Sequence, residues 1–156
     1  MPPSREDSDD PMRSPEDGAT YRKTQGDVTE TTAFEVSLEM RGPVPVIRVS
    51  GDIDLATVSA LERALLRAIS SSAETVIDLS ECTFIDASGI ETILRAQRLL
   101  RARIGPDPKL RLVVGERGPS RTLRLAGFEE ITELCSSLAE AMAIAAGRPA
   151  AETLAG

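Results

Sequence analysis

The chain has 156 residues, about the length of one domain, and 41% of them are apolar, 28% charged and 3% aromatic. It contains no histidine, which removes the usual general base and the serine–histidine and cysteine–histidine pairs of nucleophilic catalysis. Two cysteines are too few for a zinc site of the usual kind. A net charge of −7 with few aromatic residues argues against nucleic-acid binding. We therefore expect no catalytic residue, no metal site and no cofactor.

The first 32 residues differ in composition from the rest. They hold four basic and eight acidic residues, a net charge of −4, with four prolines and almost no large apolar side chains. Such a segment cannot bury enough surface to offset its chain entropy. We expect a disordered acidic tail over residues 1–32, a folded domain over 33–147 and a C-terminal tail over 148–156.

The sequence favours a cytoplasmic protein. Its N-terminus lacks the apolar core of a signal peptide, and no stretch approaches the roughly 18 apolar residues of a membrane span. Cys82 and Cys135 lie singly in apolar segments, which favours buried, reduced thiols over a disulfide.

Hydrophobic periodicity predicts the elements of the first half of the domain. Strict alternation predicts a strand over Phe34–Met40, and Val44–Val49 follows closely enough to pair with it as an antiparallel hairpin. A loop over Ser50–Asp54 leads into a helix whose apolar residues share one face: Val58, Leu61, Leu65, Ala68 and Ile69. The apolar run Thr75–Leu79 predicts a buried strand.

The second half continues the alternation of helices and strands. Its predicted elements are a helix from Ser88 to Ile104, a strand over Leu110–Val114, a short helix between Pro119 and Gly127, a short extended piece over Ile131–Leu134, and a last helix from Ser137, which has capping-box spacing to Glu140. This order predicts an α/β fold with a small, mixed, mainly parallel sheet of four to five strands and about four helices.

The most informative stretch runs from Val76 to Ile90, where a buried strand leads through a loop into small residues at a helix start. In parallel sheets, functional sites form at this carboxyl edge. Ser88 has two interpretations here: an N-cap, with Glu91 completing a capping box, or a functional hydroxyl. A serine nucleophile is disfavoured because no histidine exists to activate it and no Gly-x-Ser-x-Gly elbow surrounds it.

The segment from Asp78 to Leu94, together with Gly51–Thr57, resembles the STAS domain of bacterial anti-sigma factor antagonists. The resemblance extends from about Phe34 to Ala146 and implies the STAS fold. Its specific feature is an Asp-Ser-Ser-Gly-type motif after a Gly-Asp-Ile-Asp loop. The chain departs from the family at Ala87, where serine or threonine is common, and at Glu91, where a small residue is usual.

The resemblance implies a phospho-switch in which Ser88 is the modified residue. In this family an anti-sigma factor, itself an ATP-binding serine kinase, binds the unphosphorylated antagonist and frees a sigma factor. Phosphorylation releases the antagonist, and a serine phosphatase resets it. At a helix start, a phosphate on Ser88 would lie over free backbone N–H groups. We expect neither nucleic-acid binding nor direct membrane insertion, and a monomer or weak dimer.

A set of residues around the switch is predicted to contact the partner: Asp52, Asp54, Thr57, Asp86, Ala87, Gly89, Ile90, Thr92, Arg95 and Leu99. Of these, Thr92, Arg95 and Leu99 line up opposite the apolar stripe of the second helix and would extend the surface away from Ser88. The alternative is an ordinary solvated helix face.

Two other functions are compatible with the same resemblance. One is a STAS subunit of a lipid-transport or other membrane ATPase complex, a binding module with no phosphorylation cycle. The other is a component of a stress-signalling scaffold. An enzyme is disfavoured by the missing histidine.

Overall fold

A mixed six-stranded sheet organises the chain in the computed structural model, which describes residues 20–23, 33–72, 74–105, 110–116 and 118–145. In sheet order, the strands are β1 (Thr20–Lys23), β2 (Phe34–Arg41), β3 (Val44–Ile53), β4 (Thr75–Ile85), β5 (Leu110–Val113) and β6 (Glu133–Cys135). The helices are α1 (Val58–Ser71), α2 (Ala87–Ile104), α3 (Ser120–Leu125), α4 (Phe128–Ile131) and α5 (138–145).

Strand directions confirm the predicted α/β class. The pairs β1–β2 and β2–β3 are antiparallel, and β3–β4, β4–β5 and β5–β6 are parallel. The hairpin predicted from alternation is present, because Leu38 pairs with Ile47 and the buried side chains of β2 alternate with half-exposed ones. The sheet therefore combines antiparallel pairing from β1 to β3 with parallel pairing from β3 to the opposite edge at β6.

Strand β1 lies within the segment predicted to be a disordered tail, and that expectation is wrong for Thr20–Lys23. These residues pair antiparallel with Phe34–Ser37. Threonine and tyrosine favour strands, and without β1 the edge of β2 would leave a row of unpaired backbone groups. The predictions for the other residues of 1–32, and for the C-terminal tail, fall outside the described residues.

The sheet is covered on both faces. One cluster joins α1 and α2 to the sheet through residues such as Leu61, Ile93 and Ile77. A smaller cluster on the other side joins Ala141 and Ala145 of α5 to strand residues such as Val76. Residues 75–79 of β4 are consequently all buried, as the continuous apolar run predicted.

Strands β3 and β4 are longer than predicted. They extend to Ile53 and Ile85 and so include most of the residues that were expected to form loops. Arg48 pairs with Asp78, but two residues later Ser50 pairs with Glu81, and Asp52 then pairs with Phe84. Strand β4 thus gains one residue over β3 at each of two bulges. A bulge bends the strand and re-aims the side chains that follow it.

Buried Arg111 fastens three neighbouring strands. Only 1% of its side chain is exposed, and its guanidinium forms ion pairs with Glu74, just before β4, at 3.1 Å and with Glu133 of β6 at 2.8 Å. A buried guanidinium needs such partners to offset its lost hydration. This arginine therefore links the start of β4 to β5 and β6.

Both cysteines carry free, buried thiols, as predicted. Burial raises the pKa of Cys82 to about 11 and that of Cys135 to about 11. Both thiols are therefore protonated at neutral pH. Among the described helices, none is long and apolar enough to cross a membrane.

Candidate functional site

The carboxyl ends of β3 and β4 meet the start of α2. Ile53, the last residue of β3, pairs with Ile85, and its carbonyl accepts a hydrogen bond from the Asp86 N–H at 3.0 Å. Ser88 follows in the first turn of α2 and is half-buried. The structure thus brings the Gly-Asp-Ile-Asp loop and the Asp86–Gly89 segment to one edge of the sheet.

Asp86 caps α2 through a single carboxylate oxygen. Its Oδ1 accepts from Ser88 N at 2.8 Å, Gly89 N at 3.2 Å and the Ser88 hydroxyl at 2.6 Å. The hydrogen bond from the Ser88 hydroxyl is the main reason why the pKa of Asp86 lies below its usual value, and the Gly89 and Ser88 amides lower it further. The site therefore holds an ionised carboxylate against a serine hydroxyl.

The interpretation of Ser88 as the N-cap, boxed with Glu91, is wrong. Asp86 has the extended backbone of a cap residue, with φ −102° and ψ −173°, so Ser88 is the second residue of the helix proper. The expectation of free N–H groups beneath a phosphate also fails, since the Ser88 and Gly89 amides already bind Asp86. A phosphate on Ser88 would compete with that carboxylate for the same donors.

Gly89 is buried where the helix touches the sheet. A Cβ added to it would lie 2.6 Å from Ile53 Cγ2 and 2.7 Å from Ile85 Cγ1, closer than real Cβ contacts allow. The motif glycine therefore lets α2 approach the strands, and it offers no side chain to a partner. Ala87, two residues before it, is exposed, and Ile90 is half-buried against the core.

The loop after β3 is tied together by Thr57. The Thr57 hydroxyl donates to the Asp52 carbonyl at 2.9 Å and accepts from Asp54 N at 2.9 Å. Only 4% of Thr57 is exposed, so the predicted direct contact of this residue with a partner is wrong. Its hydroxyl instead shapes the turn that carries Asp54, whose Oδ1 accepts from Ala56 N at 3.0 Å.

The predicted outer stripe of α2 is only partly exposed. Thr92 is 6% exposed and lines a narrow groove between α1 and α2, so its placement on the outer face is wrong. Arg95 is exposed and pairs with Glu62 of α1 at 3.2 Å, and Leu99 is 46% exposed. Packing against both the sheet and α1 buries a wider arc of α2 than its apolar residues indicate.

Three residues at this edge were missed by the sequence reasoning. Thr83 donates its hydroxyl to Asp52 Oδ1 at 2.6 Å, which links β4 to the exposed side chain of Asp52. Phe84 is 50% exposed and Leu55 is 80% exposed. The available signal was an aromatic residue beyond the predicted end of β4 and a leucine directly after Asp54, but neither pattern reveals which way a side chain points.

A second Asp-x-Ser turn in β4 repeats the geometry of the first. Ser80 donates its hydroxyl to Asp78 Oδ1 at 2.6 Å, and Ser80 N donates to the same oxygen at 3.0 Å. Here the carboxylate is 10% exposed and also lies 3.7 Å from Arg48 Nε. The chain therefore contains an internal control for the chemistry of Ser88.

The fold and this site define the class of the protein. The family model described as "Mlab, STAS domain" matches residues 36–136, and the chain belongs to the STAS domain family. The resemblance inferred from the motif is thereby confirmed.

Similar proteins are described as anti-sigma factor antagonists. The anti-sigma-F factor antagonist RsfB of Mycobacterium tuberculosis is 29% identical over 111 residues, which cover 70% of this chain and 88% of RsfB. The crystal structure of an anti-sigma factor antagonist from Mycobacterium paratuberculosis has a TM-score of 0.62 and 26% identity, covering 70% of this chain and 92% of that one.

SpoIIAA, a Bacillus cell fate determinant, shares the fold. In its unphosphorylated form it has a TM-score of 0.57 and 22% identity, covering 72% of this chain and 96% of SpoIIAA.

Proposed function

We propose that the protein is an anti-sigma factor antagonist that acts in the cytoplasm as a non-enzymatic phospho-switch. Its unphosphorylated form binds an anti-sigma factor that is itself an ATP-binding serine kinase, which frees a sigma factor. The observation that carries the proposal is the Ser88 hydroxyl at the carboxyl edge of the sheet, hydrogen-bonded to Asp86 at 2.6 Å. The similarity to RsfB supports the choice of partner class.

Phosphorylation of Ser88 changes the surface that the partner meets. The kinase transfers the γ-phosphoryl group of ATP to Ser88 Oγ, ADP leaves, and the hydroxyl proton that bonds Asp86 in the free protein passes to solvent. The product carries about −1.5 to −2 additional charge at pH 7. It stands beside the Asp86 carboxylate and one turn before exposed Glu91. Two anionic groups then share donors that a single carboxylate holds in the free protein.

The charge provides enough free energy for a switch. A docked partner would have to desolvate the phosphate next to Asp86 and Asp52, and unpaired charge in such a place costs several kcal/mol. About 3 kcal/mol would weaken binding more than 100-fold, since 1.4 kcal/mol corresponds to a factor of ten. A serine phosphatase restores the binding form.

The proposed partner surface starts from the exposed or half-exposed residues of the edge, namely Asp52, Asp54, Asp86, Ala87 and Ile90. Arg95 and Leu99 would extend it along α2. Substitutions Arg95→Glu and Leu99→Asp test that extension, which predicts weaker kinase binding for both. Unchanged affinity would limit the surface to the edge of the sheet.

Phosphate mapping tests the proposal directly. The protein is incubated with ATP and each ATP-binding anti-sigma kinase of the source genome, and phosphate is located by mass spectrometry. We expect modification of Ser88 in the wild type and in Ser80→Ala, and none in Ser88→Ala. Ser80→Ala is a matched control because Ser80 makes the same carboxylate bond.

Binding measurements complete the test. Ser88→Ala should remain kinase-bound with or without ATP, and Ser88→Glu should bind weakly. If no kinase phosphorylates Ser88, or if the two variants bind equally, the switch is wrong. A STAS subunit of a membrane ATPase complex would then explain the fold without a phosphorylation cycle.

A further inference from the structure

Phe84 is an exception among the phenylalanines of this chain, of which there are three. Phe34 and Phe128 are core residues with 4% and 0% exposure, whereas Phe84 is 50% exposed. Leu55 is 80% exposed, the highest exposure among the large apolar residues described. Exposed apolar side chains are common singly, but these two stand at the edge that carries Ser88.

The bulges in β4 explain why Phe84 faces outward. In a regular strand alternate residues would be buried, but residues 80–85 follow the order exposed, exposed, buried, twice over. Thr83 and Phe84 therefore both point away from the core, between buried Cys82 and Ile85.

Hydrogen bonds and strand pairing hold the backbone of the exposed segment. The Thr83 hydroxyl bonds Asp52 Oδ1 at 2.6 Å, and the Cys82 thiol donates to the Phe84 carbonyl at 3.3 Å. Phe84 also pairs with Asp52 in the sheet. An aromatic side chain on a fixed backbone loses little entropy on binding, which suits it to anchor an interface.

The same edge places Phe84 and Leu55 beside the switch. Phe84 lies two residues before Asp86 and four before Ser88, and Leu55 lies in the turn after Ile53, whose carbonyl binds Asp86 N. Acidic side chains are interspersed with the two apolar ones: Asp52, Asp54, Glu81, Asp86 and Glu91 are all exposed or half-exposed. A kinase that reaches Ser88 Oγ would approach the same edge of the sheet.

We infer that Phe84 and Leu55 are the apolar anchors by which the anti-sigma kinase docks, an inference that rests on the proposed function. The complementary surface on the kinase is an apolar pocket bordered by basic groups. Aromatic and large apolar residues dominate interface energies when they fill such pockets, and the acidic residues steer the encounter and select a basic rim. Phosphate on Ser88 then weakens binding next to these anchors.

The test measures kinase binding by calorimetry for Phe84→Ser and Leu55→Ser in the full chain. We expect affinity to fall about 30-fold for Phe84→Ser, the usual effect of losing a hot-spot side chain, and severalfold for Leu55→Ser. The matched control is Leu125→Ser in α3, which removes a leucine of 76% exposure and should leave affinity unchanged. Thermal unfolding should show all three variants folded, because each substitution changes an exposed side chain.

Phosphorylation kinetics distinguish a failure of the anchor inference from a failure of the proposed function. Phe84→Ser should raise the KM for phosphorylation of Ser88 and leave kcat nearly unchanged, since Ser88 and Asp86 are intact. If the wild type binds and is phosphorylated while Phe84→Ser and Leu55→Ser match it within twofold, the anchors are wrong and the proposed function stands. If the wild type itself neither binds nor is phosphorylated, the proposed function fails, and the anchors with it.

Discussion

Ser88 donates its hydroxyl proton to Asp86 Oδ1 across 2.6 Å, so the serine and the cap of α2 share one carboxylate oxygen. The same oxygen also accepts from the Ser88 and Gly89 amides. Any chemical change at Ser88 Oγ therefore affects the N-terminus of α2, a helix of 18 residues. A modification of Ser88 Oγ would alter the polar contacts that begin the helix.

Replacing the cap should destabilise the fold. Asp86→Ala leaves the Ser88 and Gly89 amides without their acceptor and should lower the free energy of unfolding by about 1 kcal/mol. Asp86→Asn keeps an acceptor oxygen and should cost less than Asp86→Ala. Urea denaturation of both variants checks this. Equal losses would mean that the charge, and not the capping bond, stabilises the helix start.

The carboxylate of Asp86 should titrate below the usual range. Because its pKa is lower in the folded chain than in the unfolded one, its contribution to stability is present above the unfolded pKa of about 3.9 and is lost as pH falls through the folded pKa. Ser88→Ala removes the largest cause and should raise the Asp86 pKa toward its usual value. Carbon-detected NMR titration of the Asp86 carboxyl measures its pKa in the wild type and in Ser88→Ala. If the Asp86 pKa is the same in the two proteins, the Ser88 hydroxyl is not the main cause of the lowered pKa.

Gly89 should not accept a methyl group. Gly89→Ala brings Cβ within 2.6 Å of Ile53 Cγ2, and overpacking of this kind costs about 1–3 kcal/mol. All but the lowest part of that range exceeds the roughly 1 kcal/mol by which alanine is favoured over glycine in a helix. We expect net destabilisation by chemical denaturation. Gly115→Ala is the control, since its added Cβ meets only the Ser80 carbonyl at 3.7 Å; a stable Gly89→Ala would show that the strands can yield.

The buried ion pairs of Arg111 should respond asymmetrically to substitution. The double variant Glu74→Ala/Glu133→Ala leaves a guanidinium of 1% exposure unpaired and should cost about 3–5 kcal/mol. Arg111→Met should cost less, because the freed carboxylates, 24% and 38% exposed, can reach water. Urea midpoints compare the two. A larger loss for Arg111→Met would mean that packing of the arginine stem outweighs its charge.

The thiols should be inert in the native state. Burial raises the pKa of Cys82 and of Cys135 to about 11, so neither is a thiolate at pH 8. We expect slow reaction with a thiol-specific disulfide reagent, accelerating on unfolding. Because the unfolded thiols ionise near pH 8.5, stability should fall as pH rises above that value. Rapid labelling of either cysteine at pH 8 in the folded protein would contradict this.

Local periodicity predicted much of the fold because it depends on which residues face the core. The alternation over Phe34–Met40 and the apolar run Thr75–Leu79 were interpreted correctly. The bulges were not foreseeable, since they depend on how β4 pairs with β3, and they decide that Phe84 faces outward. Pairing with β2 likewise explains why Thr20–Lys23 forms a strand, and such pairing cannot be seen in the local sequence.

The candidate site was predicted in position but not in detail. Asp86 and Ser88 both have side chains suited to an N-cap, and they stand two residues apart, so sequence alone could not choose between them. Thr57 was predicted to contact the partner because it belongs to the Gly51–Thr57 loop of the family resemblance, and Thr92 because it lies opposite the apolar stripe of the second helix. Their burial follows from hydrogen bonds and helix packing that link distant parts of the chain.

Ser88 and Gly89 are neighbours in the motif, yet unrelated demands hold them there. The glycine is required by packing, because the side chains of Ile53 and Ile85 occupy the space that a Cβ would need. The serine is not required by packing, since its half-buried hydroxyl fills no gap in the core. Under the proposed function, a paralogue that exchanged the serine for alanine and kept the glycine would retain an intact fold and bind its partner without regulation by phosphorylation. Loss of the glycine, in contrast, would destabilise the fold itself.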